Sequence, residues 1–232
     1  MEIEQEDLKE TEVLINLASA GVSPKKTTLE EAININILSA SRLLKIGNIA
    51  GIKRFVYAGT CHEYGHTANS FEKIPPNAAL NPLSFYGSTK ASGFHLINHL
   101  SIELKLELVY ARIFSAYGPG QNKYNFWPML SEAALSGNDF KMSSGKQVRD
   151  FIPAQLVAKH LLNASQRDDI IKGQPFLINI GTGNPISLGD FAKKEWKRLG
   201  AKGKLMIGAL SDKKNEPMNF CPDISNLNYK EI

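Results

Sequence analysis

The sequence contains few cysteines. Only Cys61 and Cys221 occur among its 232 residues. Two cysteines cannot build the disulfide framework of a small secreted domain, and they do not form a metal site. A hydrophobic core therefore has to hold the chain together, and no bound metal is expected.

Long apolar runs and blocks of like charge are also missing. No segment approaches the length needed to cross a membrane, and the acidic N-terminus lacks the charged-then-apolar order of a signal peptide. The net charge of +4 comes from scattered lysines and arginines, which suits a small anionic substrate better than a nucleic acid. These absences predict a cytoplasmic protein without membrane or nucleic-acid partners.

Enough apolar residues are present for one sizeable core. Hydrophobic residues make up 43% of the chain and charged residues 22%, which is ordinary for a globular protein. Apolar runs typical of buried strands alternate with segments of helical periodicity, and this alternation predicts a parallel α/β sheet. Strands are expected at 12–21, from 54 to a break at Gly59, at 106–113 and, followed by a turn, within 176–183; helices are expected at 28–46, from 86 onward, at 126–135 and at 188–199. Expected core positions of the first helix are Ala32, Ile35, Leu38, Leu43 and Leu44.

The most informative stretch is Phe85-Tyr86-Gly87-Ser88-Thr89-Lys90. Tyr86 and Lys90 are four residues apart, so on a helix they are neighbours on one face. An adjacent ammonium lowers the pKa of a tyrosine, which is ordinarily about 10, and so prepares the phenol for proton exchange. Most such pairs are surface residues without a catalytic role. Thr60 strengthens the catalytic reading, since it is expected at the C-terminal end of a buried strand upstream.

Thr60, Tyr86 and Lys90 resemble the catalytic triad of the short-chain dehydrogenases/reductases. Glu63-Tyr64-Gly65 and residues 112–119 resemble the extended branch of that family, which contains nucleotide-sugar epimerases, dehydratases and 4-keto reductases. The similarity runs over nearly the whole chain. It implies a Rossmann-like parallel sheet with helices on both faces, a small C-terminal substrate-binding lobe, and NAD or NADP as cofactor.

The resemblance implies a nucleotide-sugar epimerase or 4-keto reductase acting at sugar C4, and it does not separate the two. Tyr86 would exchange a proton with the C4 oxygen, and Thr60 would hydrogen-bond the same oxygen. Lys90 would lower the pKa of Tyr86 and hold the nicotinamide ribose. A homodimer is compatible with this reading.

Further site residues follow from the same resemblance. Arg149 suits a diphosphate because a guanidinium pairs with phosphate in a bidentate way; the alternative is a loop brace with Asp150. Asn34 matches a family asparagine near the cofactor, and the alternative is that Asn34 is a solvated residue of the helix. The cofactor positions are Leu17, Ala18, Ser19, Asn34, Tyr86, Lys90 and Phe114. The substrate positions are Thr60, Cys61, His62, Ser115, Arg149, Lys213 and Glu216.

The chain departs from the family in two places. Its sequence has no Gly-x-x-Gly-x-x-Gly turn, the feature that lets a pyrophosphate approach a helix N-terminus. The chain is therefore expected to begin at about the fourth strand of the fold, and a truncated relative that binds a nucleotide sugar or a partner without turnover is the alternative function. Dehydratases carry Asp and Glu where this chain has Cys61 and His62, which argues against dehydration.

The character of the sequence changes after residue 119. Residues 1–119 are predicted to form a partial dinucleotide-binding domain with the triad. Residues 120–232 are predicted to form the substrate-binding lobe, with segments near 148–165 and 175–182 returning to the Rossmann-like core.

Overall fold

The computed structural model describes residues 3–22, 27–212 and 217–227. Strands and helices follow one another in the order β1 (Val13–Asn16), α1 (Leu29–Ile33), α2 (Ala40–Ile49), β2 (Arg54–Thr60), α3 (Phe85–Glu103), β3 (Glu107–Ile113), β4 (Ala116–Tyr117), α4 (Phe126–Leu135), β5 (Phe140–Met142), β6 (Val148–Arg149), β7 (Ile152–Pro153), α5 (Ala154–Ser165), β8 (Phe176–Ile180), β9 (Ile186–Ser187), α6 (Leu188–Arg198), β10 (Leu205–Ile207) and β11 (Asn219–Phe220). A π-helical turn, Asn34–Ser39, joins α1 to α2. Short 3₁₀ helices are found at Gln5–Leu8, Cys61–Glu63, His66–Ser70 and Ser225–Leu227.

The central sheet has the order β1-β2-β3-β8. All three pairings are parallel, with Tyr57 of β2 opposite Asn16 of β1 and Tyr110 of β3. Parallel strands need crossover connections, and the helices between them provide these. The predicted parallel α/β sheet is confirmed, although the first apolar run forms a strand only over Val13–Asn16.

Helices cover both faces of this sheet. Neighbouring residues of a strand point to opposite faces, so Phe55 and Tyr57 pack towards α2 and α3, whereas Val56 packs towards α5. The first face also buries Leu44, Phe94, Ile97 and Leu100, and the second buries Val157, Leu161, Ile178 and Ile180. The carboxyl ends of the strands are thereby left at one edge, between the two helical layers.

The first long helix begins as expected, because the Thr28 hydroxyl accepts a hydrogen bond from the Glu31 main chain. Its predicted core is only partly right. Ala32 and Leu44 are fully buried, but Leu38 is exposed. The π-helical turn widens the helix at this point, so the buried positions run Ala32, Asn36, Ala40, Leu44.

A second, smaller core lies outside the central sheet. It joins α4, β5, α6 and β10 through Leu130, Phe140, Met142, Ala192 and Trp196. In contrast, α5 and β8 belong to the central sheet and its covering layer. The division into a dinucleotide domain and a substrate lobe stays a prediction. None of the helices within the described ranges is long and apolar enough to cross a bilayer.

Candidate active site

Thr60 and Tyr86 meet at the carboxyl edge of the sheet. Thr60 is the last residue of β2, and Tyr86 lies in the first turn of α3. The Ser84 hydroxyl caps that helix by accepting from the Gly87 main chain at 3.1 Å. This cap fixes where the helix begins and so places Tyr86 in its first turn. The Tyr86 hydroxyl is hydrogen-bonded to the side chains of Thr60 and Ser19. The structure therefore brings together residues from β2, α3 and the loop after β1.

The pKa of Tyr86 is raised, and burial is the largest cause; the hydrogen bonds from Ser19 and Thr60 oppose it. This corrects the expectation that Lys90 lowers this pKa. The Lys90 ammonium is directed elsewhere, since its Nζ donates to the Ala58 carbonyl oxygen at 2.7 Å. In this arrangement Tyr86 is a neutral phenol at neutral pH.

Lys90 lies one helical turn beyond Tyr86, and only 7% of its surface is exposed. Burial lowers the pKa of its ammonium group, and the negative charge of Glu63 acts in the opposite direction. An ammonium has three donors, and one of them is used by Ala58. Lys90 therefore ties α3 to the end of β2.

The loop after β1 forms the neighbouring wall. Leu17, Ala18 and Ser19 are exposed at the carboxyl end of that strand. The Asn16 side chain accepts from the Ala18 main chain at 3.0 Å and so shapes the turn. At Gly21, with φ +92°, an added Cβ would lie 3.1 Å from the Phe85 ring. The chain can pass close to α3 here because no side chain is present.

Asn36, rather than Asn34, reaches this edge. Asn34 is exposed, whereas Asn36 is buried. Its side chain accepts from the main-chain N–H of Ala20 and donates to the Ala20 oxygen and the Thr89 hydroxyl, each at 2.9 Å. The assignment of Asn34 to the cofactor stays a prediction, and the side chain that holds the loop after β1 is that of Asn36. The four-residue spacing from Ala32 could have indicated Asn36.

Phe114 and Ser115 follow the end of β3. The Phe114 side chain is buried in an apolar cluster with Cys61, Tyr64 and Phe220, so only its main chain could face a cofactor. Its N–H donates to the Ile180 oxygen at 2.9 Å. Ser115 is half-buried, and its main-chain oxygen accepts from Ile152.

Cys61 and His62, two of the residues expected to bind substrate, follow directly after β2, where the chain turns away from the sheet. Cys61 is buried, and burial raises the pKa of its thiol to about 12, with the Arg149 charge opposing. His62 is exposed, and its ring lies edge-on to Tyr86 with 6.0 Å between ring centroids. The second neighbour of His62 is Phe220, at 5.9 Å.

Arg149 lies beyond Phe220, and its guanidinium is 5.0 Å from the centre of that ring. It also donates to the Val148 oxygen at 2.7 Å. The Asp150 carboxylate accepts from the main chains of Thr182 and Gly183 at 2.8 and 2.7 Å, and the alternative of a loop brace with Arg149 stays a prediction. Lys213 and Glu216 lie outside the described residues.

Among the described residues, cavities lie beside the end of β1 and against α6 and β10. One of about 200 Å³ lies beside the end of β1, and its lining includes Asn16, Ala18, Ser39 and Leu43. The larger one, about 520 Å³, lies against α6 and β10 and is lined by Lys193, Trp196, Lys197 and Ile207 among others. It shares no residue with the site around Tyr86. Of the described residues that line the smaller cavity, only Asn16 at the end of β1 and Ala18 in the loop after it adjoin the site.

These residues fit the reactive end of a dinucleotide cofactor. Exposed small residues after β1 leave room for a ring, Tyr86 supplies a hydroxyl, and Lys90 supplies further donors. The site of the pyrophosphate is not identified in this sequence, which has no Gly-x-x-Gly-x-x-Gly.

The sequence profile of the NAD dependent epimerase/dehydratase family matches residues 4–181. Among curated proteins, the chain is 30% identical over 196 residues to the uncharacterized UDP-glucose epimerase YtcB of Bacillus subtilis, covering 82% of this chain and 58% of YtcB. The chain therefore spans little more than half the length of this relative.

Solved structures show the same fold. MoeE5 in complex with UDP-glucuronic acid and NAD is 26% identical with a TM-score of 0.82, covering 96% of this chain and 73% of MoeE5. A UDP-N-acetylglucosamine 4-epimerase from Methanobrevibacter ruminantium is 21% identical with a TM-score of 0.86, covering 97% and 73% of the two chains. The Rossmann-like architecture is confirmed by these matches.

Proposed function

Because this chain belongs to the NAD dependent epimerase/dehydratase family, we propose that it acts as an NAD- or NADP-dependent nucleotide-sugar epimerase or 4-keto reductase. The observation that carries the proposal is the meeting of Thr60, Tyr86 and Lys90 at the carboxyl edge of a parallel sheet. That edge is where open α/β sheets bind their ligands. MoeE5, a structural relative, binds NAD and UDP-glucuronic acid.

Each residue has one role in the proposed reaction. Tyr86, as a neutral phenol, donates a proton to a C4 carbonyl oxygen and takes it back in the reverse direction. The Thr60 oxygen accepts from the His62 main chain at 3.3 Å, so its hydrogen is available to hold Tyr86 or the same sugar oxygen. Lys90 and Ser19 would hold the ribose and nicotinamide end of the cofactor. When bound, the cofactor supplies hydride exchange at C4.

Two observations bear on reaction type and substrate. The Cys61 thiol is buried with a pKa near 12, so it cannot serve as the acid or base that dehydration needs at this position. We propose that Arg149 binds the diphosphate of the nucleotide sugar. Arg149 and His62 both contact the Phe220 ring, which lies between them. A homodimer, a cytoplasmic location and roles for Lys213 and Glu216 stay predictions.

A second candidate is binding of a nucleotide sugar or a partner protein without turnover. The buried and connected triad favours the enzyme, because Lys90 is kept out of water by the fold at a cost in desolvation.

Calorimetry with NAD, NADH, NADP and NADPH tests the proposal first. We expect micromolar binding of at least one of them, followed by interconversion of UDP-glucose and UDP-galactose or reduction of a 4-keto sugar nucleotide, seen by proton NMR. Tyr86→Phe should lower turnover by about 10²–10⁴-fold while leaving the melting temperature nearly unchanged. Tyr124→Phe, at an exposed tyrosine of the same chain, is the matched control. A folded protein that binds none of the four cofactors would favour binding without turnover.

A further inference from the structure

Glu63 is a buried acidic residue beside the site that has no role in the function proposed above. It ends the short helix after Thr60 and is completely buried. One carboxylate oxygen accepts from the Thr60 main-chain N–H at 2.8 Å and from the Tyr110 hydroxyl at 3.0 Å. The other accepts from the Arg112 guanidinium at 2.7 Å. A single carboxylate thus joins the end of β2 to the middle of β3.

Arg112 anchors this carboxylate from the far side. Its side chain is 1% exposed and donates a second hydrogen bond, of 2.8 Å, to the Pro76 oxygen. The guanidinium also lies 4.3 Å from the centre of the Phe94 ring on α3. Glu63 is therefore held between the sheet and the helix that carries Tyr86 and Lys90.

The end of β2 is held from two directions, at Ala58 and at Thr60. Lys90 binds the Ala58 oxygen, and Glu63 binds the Thr60 nitrogen. Gly59 lies between them, and an added Cβ there would be 2.8 Å from a Glu63 oxygen and 2.3 Å from a Tyr110 ring carbon. The strand end consequently cannot shift without moving the carboxylate.

We propose that Glu63 is a positioning residue of the site, which sets Thr60 against Tyr86 through the Thr60 main chain and supplies the buried negative charge opposite Lys90. The proposal rests on the function proposed above, because it assigns Thr60, Tyr86 and Lys90 to one reaction. Glu63 itself does not touch the substrate, since it lies beneath the strand end.

The charge of Glu63 acts on Lys90 in a definite direction. Burial lowers the pKa of Lys90, and Glu63 raises it. The other titratable and charged groups of this cluster come from α3, β3 and the turn after β2: Tyr86, Tyr110, Arg112 and Cys61. Removing the carboxylate should therefore leave Lys90 easier to deprotonate.

The choice of variant is limited by Arg112. Glu63→Gln alone leaves a buried guanidinium without its counter-charge, and such a protein is expected to unfold readily. The double variant Glu63→Gln/Arg112→Met removes both charges and keeps an unbranched side chain of similar length. Tyr110→Phe is the matched control, since it deletes one hydrogen bond of the same carboxylate and keeps the charge.

Lys90 can be titrated without cofactor or substrate. Protein labelled with ¹³C-lysine gives one Cε resonance per lysine, and Lys90→Arg assigns the resonance of Lys90. We expect the midpoint of Lys90 to move to lower pH in the double variant and to stay within error of the wild type in Tyr110→Phe. An unchanged midpoint in the folded double variant overturns the inference.

Turnover separates this inference from the proposed function. In an active wild type, the double variant should lower kcat by about 100-fold with little change in KM, since displacement of reacting groups acts on the chemical step. An unchanged kcat overturns the positioning role. A wild type that binds cofactor and sugar nucleotide without turnover overturns the proposed function, and the Lys90 titration then decides the inference by itself.

Discussion

The side-chain amide of Asn36 donates a 2.9 Å hydrogen bond to the hydroxyl of Thr89. Thr89 lies between Tyr86 and Lys90 on α3, and Asn36 also holds both main-chain groups of Ala20. One buried amide thus connects the loop after β1 to the helix of the site. Asn34, two residues earlier, is exposed and does not connect the loop to this helix.

Replacement of Asn36 by alanine should destabilise the protein by about 2–3 kcal/mol. The change leaves the Ala20 N–H and oxygen buried without their side-chain partner and removes the donor to the Thr89 hydroxyl, which still donates to the Tyr86 main-chain oxygen. Asn34→Ala, on the same helix, should change the free energy of unfolding by less than about 0.5 kcal/mol. Urea unfolding of the two variants measures the difference, and equal stabilities would contradict the role given to Asn36.

Gly59 has no space for a side chain. A Cβ would lie 2.3 Å from a carbon of the Tyr110 ring, which is fixed within the core. Gly59→Ala should therefore destabilise by about 1–3 kcal/mol through overpacking. The contrast is Gly189→Ala in α6, where the nearest atom is a Gly145 oxygen at 3.4 Å and alanine should stabilise by up to about 1 kcal/mol. Thermal unfolding distinguishes the two substitutions.

Alkaline pH should destabilise the fold through Tyr64. Burial raises the pKa of Tyr64 to about 12, with Arg112 opposing, whereas an unfolded tyrosine titrates near about 10. Below about pH 10 both states keep the proton, and between about 10 and 12 only the folded state does. Stability is therefore lost as pH rises through this range, on the order of 2 kcal/mol for this group.

The contribution of Tyr64 can be isolated from the slope of the unfolding free energy against pH. Tyr64→Phe should flatten the fall in unfolding free energy between about pH 10 and 12, whatever its effect at neutral pH. Tyr124→Phe, at an exposed position, serves as control. If the Tyr64→Phe protein shows the wild-type slope, the pKa of this phenol is not raised by folding.

The outer edge of the sheet should promote association between molecules. Among the described residues, β1 pairs with β2 on one side only, and Leu17 directly after it is 58% exposed. Unpaired apolar edges are templates for further strand pairing. Leu17→Lys should reduce light scattering at high concentration, whereas Leu135→Lys, at an exposed leucine of α4, should not. A wild type that is monodisperse at high concentration removes the basis for this prediction.

Much of the fold could be predicted from local patterns. The strands containing Thr60 and Ile178, the helix that begins next to Tyr86, and α6 all lie where the sequence indicates. Their positions depend on apolar runs, helical spacing and capping residues, which neighbours in the chain determine.

Tertiary contacts decided the rest. The sequence pairs Tyr86 with Lys90 through helical spacing, but the fold directs Lys90 to Ala58 and binds Tyr86 to Thr60 and Ser19. Burial then raises the pKa of Tyr86, which spacing alone predicts to fall. Sequence spacing determines which side chains share a helix face. The desolvation and the partners that set their chemistry come from strands and loops that are distant in the chain, because only packing brings those groups together.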